Sequence, residues 1–394
     1  MKILCTVQMG GTALGQTMRV IAVAKELQRN GHEVKVLAGE KQIPILQSQQ
    51  LDFLAMPSLP EFDSPFKALL GTDDKAREEI MTRIKEMMRP IAEAEQAIIW
   101  REKPDVLLCG NLTGPSSAQT YNIPCVMVIL QPHGRKTIEL FTRRLPTQAQ
   151  NLNILKAVNL LIMEGMPELD GGASAEFQGE WAEVIKDKLR FTGPLLVEAP
   201  ESLPSREELK LRHAGNKDRP LIYVTIGGGT PLIGEDFLAL VLNAFRSLPD
   251  ISVVIATGLA LEPEQLAGYN PPKNVFIRGF VPGSELIKAS DVTVFHGGSS
   301  TLMTCLACGT PAVVVPSMAE QEDNGAVLAQ NGAGIVLDKS DLIPSALTEA
   351  VQKILSDPSF RNNAQRLKAL GEKYGGASAA AILVEQLAGR ERLP

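Results

Sequence analysis

No dense run of lysine or arginine occurs in the chain, and its formal net charge at neutral pH is -6. Binding nucleic acid, or anchoring to an acidic membrane through a polybasic segment, needs a concentrated positive field. Neither is expected. Basic residues near positions 135 to 144 form a small cluster that reads equally as a solvated face or as a contact for an anionic ligand. Long apolar stretches are missing too. The longest, such as Val126 to Leu130 and Ala312 to Val315, are strand-sized and well short of the roughly 18 residues of a membrane span. Met1 to Val7 passes straight into a strand-like segment with no charged n-region, apolar h-region or small-residue cleavage site, so no signal peptide and a cytoplasmic location are expected. Cysteine is scarce and odd in number, five in all, in apolar contexts that favour reduced buried thiols over a disulfide framework. Cys305 and Cys308 have C-x-x-C spacing, but a second pair and a His-x-His spacing are both lacking, which argues against a metal or redox site. Low-complexity sequence is absent, and 44% hydrophobic with 21% charged residues is the balance of a folded globular chain.

What is present is alternation. Strand-like runs Ile3 to Val7, Glu33 to Leu37, Val106 to Cys109 and Val126 to Leu130 are interleaved with amphipathic helical patterns such as Met18 to Leu27. The pattern restarts with Leu221 to Ile226, Val253 to Ala256, Val275 to Ile277, Val292 to Phe295 and Val313 to Val315. This is the signature of α/β structure with parallel sheets wound by helices. A chain of 394 residues exceeds what one core usually supports, so two Rossmann-like domains in tandem, each about 200 residues, are predicted. Gly193, Pro194, Pro200 and Pro204 interrupt any helix between them. The boundaries expected are an N-terminal domain over 1–195, a linker over 196–206, a C-terminal domain over 207–376, and a final helix over 377–394 able to pack back on either domain.

Ligands in open α/β sheets bind beyond the carboxyl ends of the strands, which directs attention to three loops. Gly10-Gly11-Thr12-Ala13-Leu14-Gly15 follows the first strand, but it misses the G-x-G-x-x-G pattern and has no acidic residue at the ribose distance, so it does not point to NAD. It serves equally well as a tight strand-to-helix turn. Thr225-Ile226-Gly227-Gly228-Gly229-Thr230 leaves backbone N–H groups unshielded, with a hydroxyl at Thr230, and can donate to phosphate oxygens. His296-Gly297-Gly298-Ser299-Ser300-Thr301 joins a strand to a helix that Gly309 and Pro311 terminate. There the helix dipole and first-turn N–H groups favour a diphosphate, and His296 adds a donor. The alternative is that Ser299 merely caps the helix while His296 packs at a strand end.

Downstream lie Gly309-Thr310-Pro311, Glu320-Gln321, Asn324 and Gly332-Ala333-Gly334. The run from His296 to Gly334 looks like the donor-binding signature of family 1 glycosyltransferases, in which H-G-G is followed by G-x-P, an acidic-Gln pair, Asn and G-x-G. Phe280-Val281-Pro282 resembles the family segment that lies against the nucleotide base. Gly10 to Gly15, followed by Gly31-His32-Glu33-Val34, resembles its N-terminal opening. The likeness spans almost the whole chain, most loosely between about 45 and 100 and between 135 and 190. It implies the GT-B arrangement, two Rossmann-like domains facing each other across a cleft, with acceptor bound by the first and donor by the second. It further implies that Phe280 and Val281 hold the base, that Gly228, Thr230, His296, Gly298, Ser299, Ser300 and Thr301 surround the diphosphate, and that Glu320 and Gln321 bind the sugar hydroxyls. Gly11, Thr12 and Gly15 would form the acceptor-side loop.

The sequence departs from that family twice. Where most relatives carry a histidine as general base, Gln16 follows Gly15, and a carboxamide takes no proton near neutral pH. The aspartate that orients the histidine would fall near Gly110 and is absent. Another base, His133 or Asp63, is therefore expected to reach the acceptor, or the acceptor is already anionic, with Gln16 positioning it by hydrogen bonding. Thr304 stands where many relatives place a glutamate that grips the ribose, which favours a dTDP-sugar over a ribonucleotide. The resemblance implies inverting transfer from a dTDP- or UDP-sugar to a small-molecule, natural-product acceptor by a monomer or homodimer. With no D-x-D pair in a strand-end loop, neither metal nor cofactor is expected. Two other classes fit nearly the same site: a nucleotide-sugar hydrolase or epimerase, and a catalytically silent binding protein.

Overall fold

The structure, a computed structural model, describes residues 1–7, 14–57, 74–134, 136–137, 148–170, 180–227, 234–258, 261–279 and 281–390. Among them the first half forms β1 (Lys2–Thr6), β2 (Glu33–Ala38), β3 (Asp52–Ala55), β4 (Val106–Cys109), β5 (Cys125–Leu130), β6 (Leu160–Glu164) and β7 (Leu189–Phe191). These strands make one parallel sheet in the order β3-β2-β1-β4-β5-β6-β7. The second half forms β8 (Leu221–Thr225), β9 (Ser252–Ala256), β10 (Val275–Arg278), β11 (Val292–Phe295), β12 (Ala312–Val314) and β13 (Gly334–Val336). They pair, again in parallel, as β10-β9-β8-β11-β12-β13. The two predicted sheets are both present.

Helices cover both faces. The N-terminal half carries α1 (Leu14–Arg29), α2 (Ile43–Ser48), α3 (Asp74–Glu102), α4 (Gly114–Tyr121), α5 (Gln148–Ala157) and α6 (Glu180–Ile185). The C-terminal half carries α7 (Arg206–Ala214), α8 (Glu235–Phe245), α9 (Gly283–Ala289), α10 (Ser299–Cys308), α11 (Ala319–Gln330), α12 (Pro344–Ser356), α13 (Pro358–Glu372) and α14 (Gly376–Arg390). None of the described helices is long and apolar enough to cross a membrane.

Local chemistry explains the boundaries. Central strands such as β4 (VLLC) and β8 (LIYVT) are buried at every position, as sheets covered on both faces require. At the start of α7, Ser205 and Glu208 form a reciprocal capping box, and Gly215 ends the helix in the left-handed conformation. Four strands escaped the sequence reading. β3 is a four-residue edge strand with no buried position, and β7 and β13 are three residues each. Such segments carry too few residues for a period to show. β6 is fully buried, but it lies in the segment where the resemblance is loosest.

α14 crosses back from the second half to the first. Its Ala380, Ala381, Val384 and Ala388 share a core with Val20, Ile21, Ala24 and Leu27 of α1. Glu385 receives a hydrogen bond from Asn30 Nδ2 at 2.8 Å and lies 2.9 Å from His32 Nε2. The chain order reverses beside β1 and β4 in one sheet and beside β8 and β11 in the other. Those are the crevices where open α/β sheets bind ligands, and the helices that begin there, α1 and α10, meet. A Cβ on Gly15 would come within 2.7 Å of Ser300 Oγ.

Candidate active site

The chain leaving β8 and β11 turns at glycines with positive φ, Gly227 at 72° and Gly297 at 90°. The missing side chains of Gly227 and Gly298 make room for the His296 imidazole. A Cβ on Gly227 would stand 2.6 Å from its Cε1, and one on Gly298 would stand 2.6 Å from its Nε2. The ring is gripped between backbone surfaces, its Nδ1 buried without a partner. Burial lowers the His296 pKa to about 4, so at neutral pH it is an uncharged imidazole with one N–H to give.

Gly298, not Ser299, is the N-cap of α10, and no side chain closes that helix end. The alternative in which Ser299 caps the helix therefore does not hold. Ser299 Oγ instead donates to Glu320 Oε1 at 2.6 Å. Asn324 Nδ2 donates to Gly297 O at 2.8 Å and to Ser299 Oγ at 3.3 Å, so α11 braces the glycine turn. The open helix end faces a cavity lined by Gly227, Val281, Ser284, Ser300, Thr301 and Thr304. First-turn N–H groups, a helix dipole and hydroxyls converge there, which is an anion site by construction. Thr304 Oγ1 bonds back to Ser300 O at 2.8 Å and offers the cavity no carboxylate. Glu320 and Gln321 open α11, where the Gln321 carboxamide oxygen accepts from Ser317 N and Oγ at 2.9 and 2.8 Å.

On the opposite side, Gln16 lies in the first turn of α1 with both ends anchored in the N-terminal domain. Its Nε2 donates to Val128 O at 2.6 Å, and its Oε1 accepts from Arg19 at 3.3 Å. Held this way, the side chain runs past Gly110. A Cβ on Gly110 would lie 2.5 Å from Val20 Cγ2, 3.1 Å from Thr6 O and 3.3 Å from Gln16 Nε2. The space that an aspartate at position 110 needs is thus already filled, chiefly by Val20. Gly110→Asp is expected to cost roughly 1–3 kcal/mol by overpacking, and adding Val20→Ala should recover part of that in thermal melting. An undisturbed melting point for Gly110→Asp would contradict this packing.

His133 follows β5 and is only 5% exposed, with neither ring nitrogen hydrogen-bonded. Burial first, and then the nearby Arg19 charge, lower its pKa to about 4, leaving it neutral at physiological pH. Gly228, Thr230, Phe280, Gly11, Thr12 and Asp63 lie outside the described residues.

Known proteins share this fold. Residues 249–373, which include β11, α10 and α11, match the family model "Erythromycin biosynthesis protein CIII-like, C-terminal domain". The chain is 24% identical over 412 aligned positions to the NDP-glycosyltransferase YjiC of Bacillus subtilis, covering 97% of each. Among solved structures, the calicheamicin glycosyltransferase CalG4 superposes with a TM-score of 0.74 at 21% identity, covering 100% of this chain and 99% of that one. The spinosyn rhamnosyltransferase SpnG, solved with thymidine diphosphate, gives 0.71 at 20%, covering 98% and 100%. The chain is a GT-B glycosyltransferase.

For a glycosyltransferase of this architecture, several residues that organise the cleft gave little sign of it in the sequence. Arg19 and Glu164 form an ion pair between residues 145 positions apart, with nothing local to announce it. Glu95, 1% exposed, accepts from Asn111 Nδ2, Thr113 Oγ1 and Ser117 Oγ at 2.8, 2.9 and 2.8 Å, which fixes the loop after Gly110; burial raises its pKa. Asn324 did stand in the H-G-G run, but its task of holding Gly297 emerges only from the fold. Cys305 and Cys308 sit in the core of the C-terminal domain, where burial raises both thiols, Cys308 to about 12.

Proposed function

We propose that this glycosyltransferase moves a sugar, with inversion, from a dTDP- or UDP-sugar to a small-molecule acceptor of the natural-product type. The observation that carries the reading is the uncapped N-terminus of α10, opening between two glycine turns onto one cavity with His296 beside it. Charge builds on the departing diphosphate as the anomeric carbon–oxygen bond breaks, and oriented N–H groups offset it without reorganising. A metal ion is not required for that stabilisation. The names of YjiC, an NDP-glycosyltransferase, and of SpnG with thymidine diphosphate support a nucleoside diphosphate donor. Thr304, with its hydroxyl turned back to Ser300 O, favours a deoxyribose over a ribose that needs its 2′-hydroxyl held.

The acceptor oxygen or nitrogen attacks the anomeric carbon from the face opposite the diphosphate, and its proton passes to His133. That histidine has unpartnered ring nitrogens and stays neutral at working pH, which is what a proton acceptor needs. Its low basicity suits an acceptor whose proton is itself acidic. Glu320 is engaged with Ser299 and the Gln321 oxygen with Ser317, so the Gln321 amide nitrogen is the donor left to reach a sugar hydroxyl. The contact of α1 with α10 keeps water from the anomeric carbon.

The test is thermal stability with UDP, dTDP and GDP and their sugars, since a bound ligand raises the melting temperature by mass action. One nucleotide is expected to stabilise the wild type and to lose that effect in His296→Ala, while Thr304→Glu shifts preference toward UDP. Absence of any shift across the panel would sink the donor-site reading. The responding donor is then offered with a panel of phenol, alcohol, amine and carboxylic acid acceptors.

A further inference from the structure

The described residues that follow β5 are anchored to both halves of the molecule. At its start, Gln131 Oε1 accepts from Met166 N at 2.6 Å within the N-terminal domain. At its far end, Thr137 gives two hydrogen bonds to a single oxygen of the other domain: its backbone N–H and its Oγ1 hydroxyl each reach Asp323 Oδ2 at 2.7 Å. Between these anchors sits His133. Gly134 presses against the same carboxylate, and a Cβ there would overlap the carbon and both oxygens of the Asp323 carboxyl group. Asp323 belongs to α11, whose first turn carries Glu320 and Gln321. A charged oxygen that collects two donors in a glycine-shaped notch fixes one register across an interface. The neighbouring Lys136–Glu322 pair has side chains 62% and 45% exposed and contributes little by comparison.

We propose that Asp323 is a positioning residue: by accepting both Thr137 donors it locks the loop bearing His133 to the helix that carries Glu320 and Gln321, so that acceptor and donor sugar are held in one register. This rests on the glycosyltransferase reading above, with His133 on the acceptor side. Misplacing a reacting group by an ångström can cost on the order of a hundredfold in rate, so a latch between the two half-sites acts on turnover rather than on nucleotide binding.

The test follows the ring resonances of the four histidines by NMR through an acid titration of the full chain, with His133 assigned from its absence in His133→Gln. Wild-type His133 is expected to titrate near 4. Thr137→Val keeps every charge but removes one latch donor, and Asp323→Ala removes the latch. Both are expected to hydrate the ring and to move its midpoint up by about one unit or more toward the ordinary value of about 6.5. Thr137→Ser should behave as wild type, Lys136→Met likewise, and His296 should not move in any of them. Binding of dTDP and UDP, measured by calorimetry, stays within about twofold, and with the donor and acceptor taken from the panels above kcat falls about tenfold while donor KM is preserved. An unmoved His133 midpoint in both latch variants, or a donor KM that rises as steeply as kcat falls, overturns the proposal. Failure of the wild type to bind either nucleotide strikes the transferase reading instead, and the His133 titration still reports on the latch.

Discussion

Glu164→Gln is expected to destabilise the N-terminal domain by about 3 to 5 kcal/mol, the range for leaving one member of a buried ion pair without its partner. Arg19 and Glu164 are 3% and 2% exposed, and Arg19 Nε donates to Glu164 Oε2. The substitution preserves shape and keeps an oxygen for Leu195 N, which donates to Glu164 Oε1 at 2.9 Å. What it removes is the negative charge, and no bulk water is at hand to solvate the guanidinium in its place. Urea unfolding should show a lower midpoint at unchanged slope. The double substitution Arg19→Met with Glu164→Gln should recover most of the loss, because then no charge is buried alone. A single-variant loss below about 1 kcal/mol, the size typical of exposed pairs, would mean that solvent reaches the pair and that this account of it is wrong. The consequence for function is direct. Arg19 also holds Gln16, and Glu164 accepts from Leu195 N, so one ion pair ties α1 to the chain that follows β7.

How much of this could be read beforehand depends on whether the determinants are local. The alternation of apolar runs and helical patterns specified two parallel α/β domains because each element announces itself within a dozen residues. The His296 to Thr301 segment was legible for the same reason: glycines, a strand before and a helix after are neighbours in sequence, and the helix end they create is uncapped as the motif requires. Short or edge strands were not legible. Neither was anything set by long-range pairing. Gln16 and Gly110 read as two separate losses, yet the fold brings them side by side: a Cβ on Gly110 would overlap Val20 Cγ2 at 2.5 Å and lie 3.3 Å from Gln16 Nε2. Thr137 and Asp323 are 186 residues apart, and no spacing rule connects them. The sequence did mark His133 as a loop histidine able to face the cleft. Its burial, its unpartnered nitrogens and the clasp beside it required coordinates.

Gly297→Ala should produce a steep loss of donor binding. The residue has φ of 90°, where an L side chain is strained by about 1–3 kcal/mol. Its Cβ would stand 2.7 Å from Gln321 O and 3.1 Å from Gln321 Cα. Those atoms are the backbone of α11 and cannot rotate aside. Relief requires either that the His296-Gly297-Gly298 turn flattens, which carries Gly298 off the N-cap of α10, or that α11 backs away and takes Glu320 and Asn324 with it. Both routes disperse the donors that converge on the cavity. Calorimetric titration with UDP and dTDP is expected to show affinity reduced by ten- to a hundredfold, about 1.4 to 2.8 kcal/mol, in a protein whose circular dichroism remains that of the wild type. Gly298→Ala is the informative comparison. Its φ of -65° is ordinary, and its Cβ would meet the His296 side chain and not the backbone of α11, so its loss should be smaller. If Gly297→Ala bound nucleotide as well as the wild type, the turn would not be braced by α11, and the helix end at Ser299 to Thr301 would lose its claim to be where the diphosphate sits.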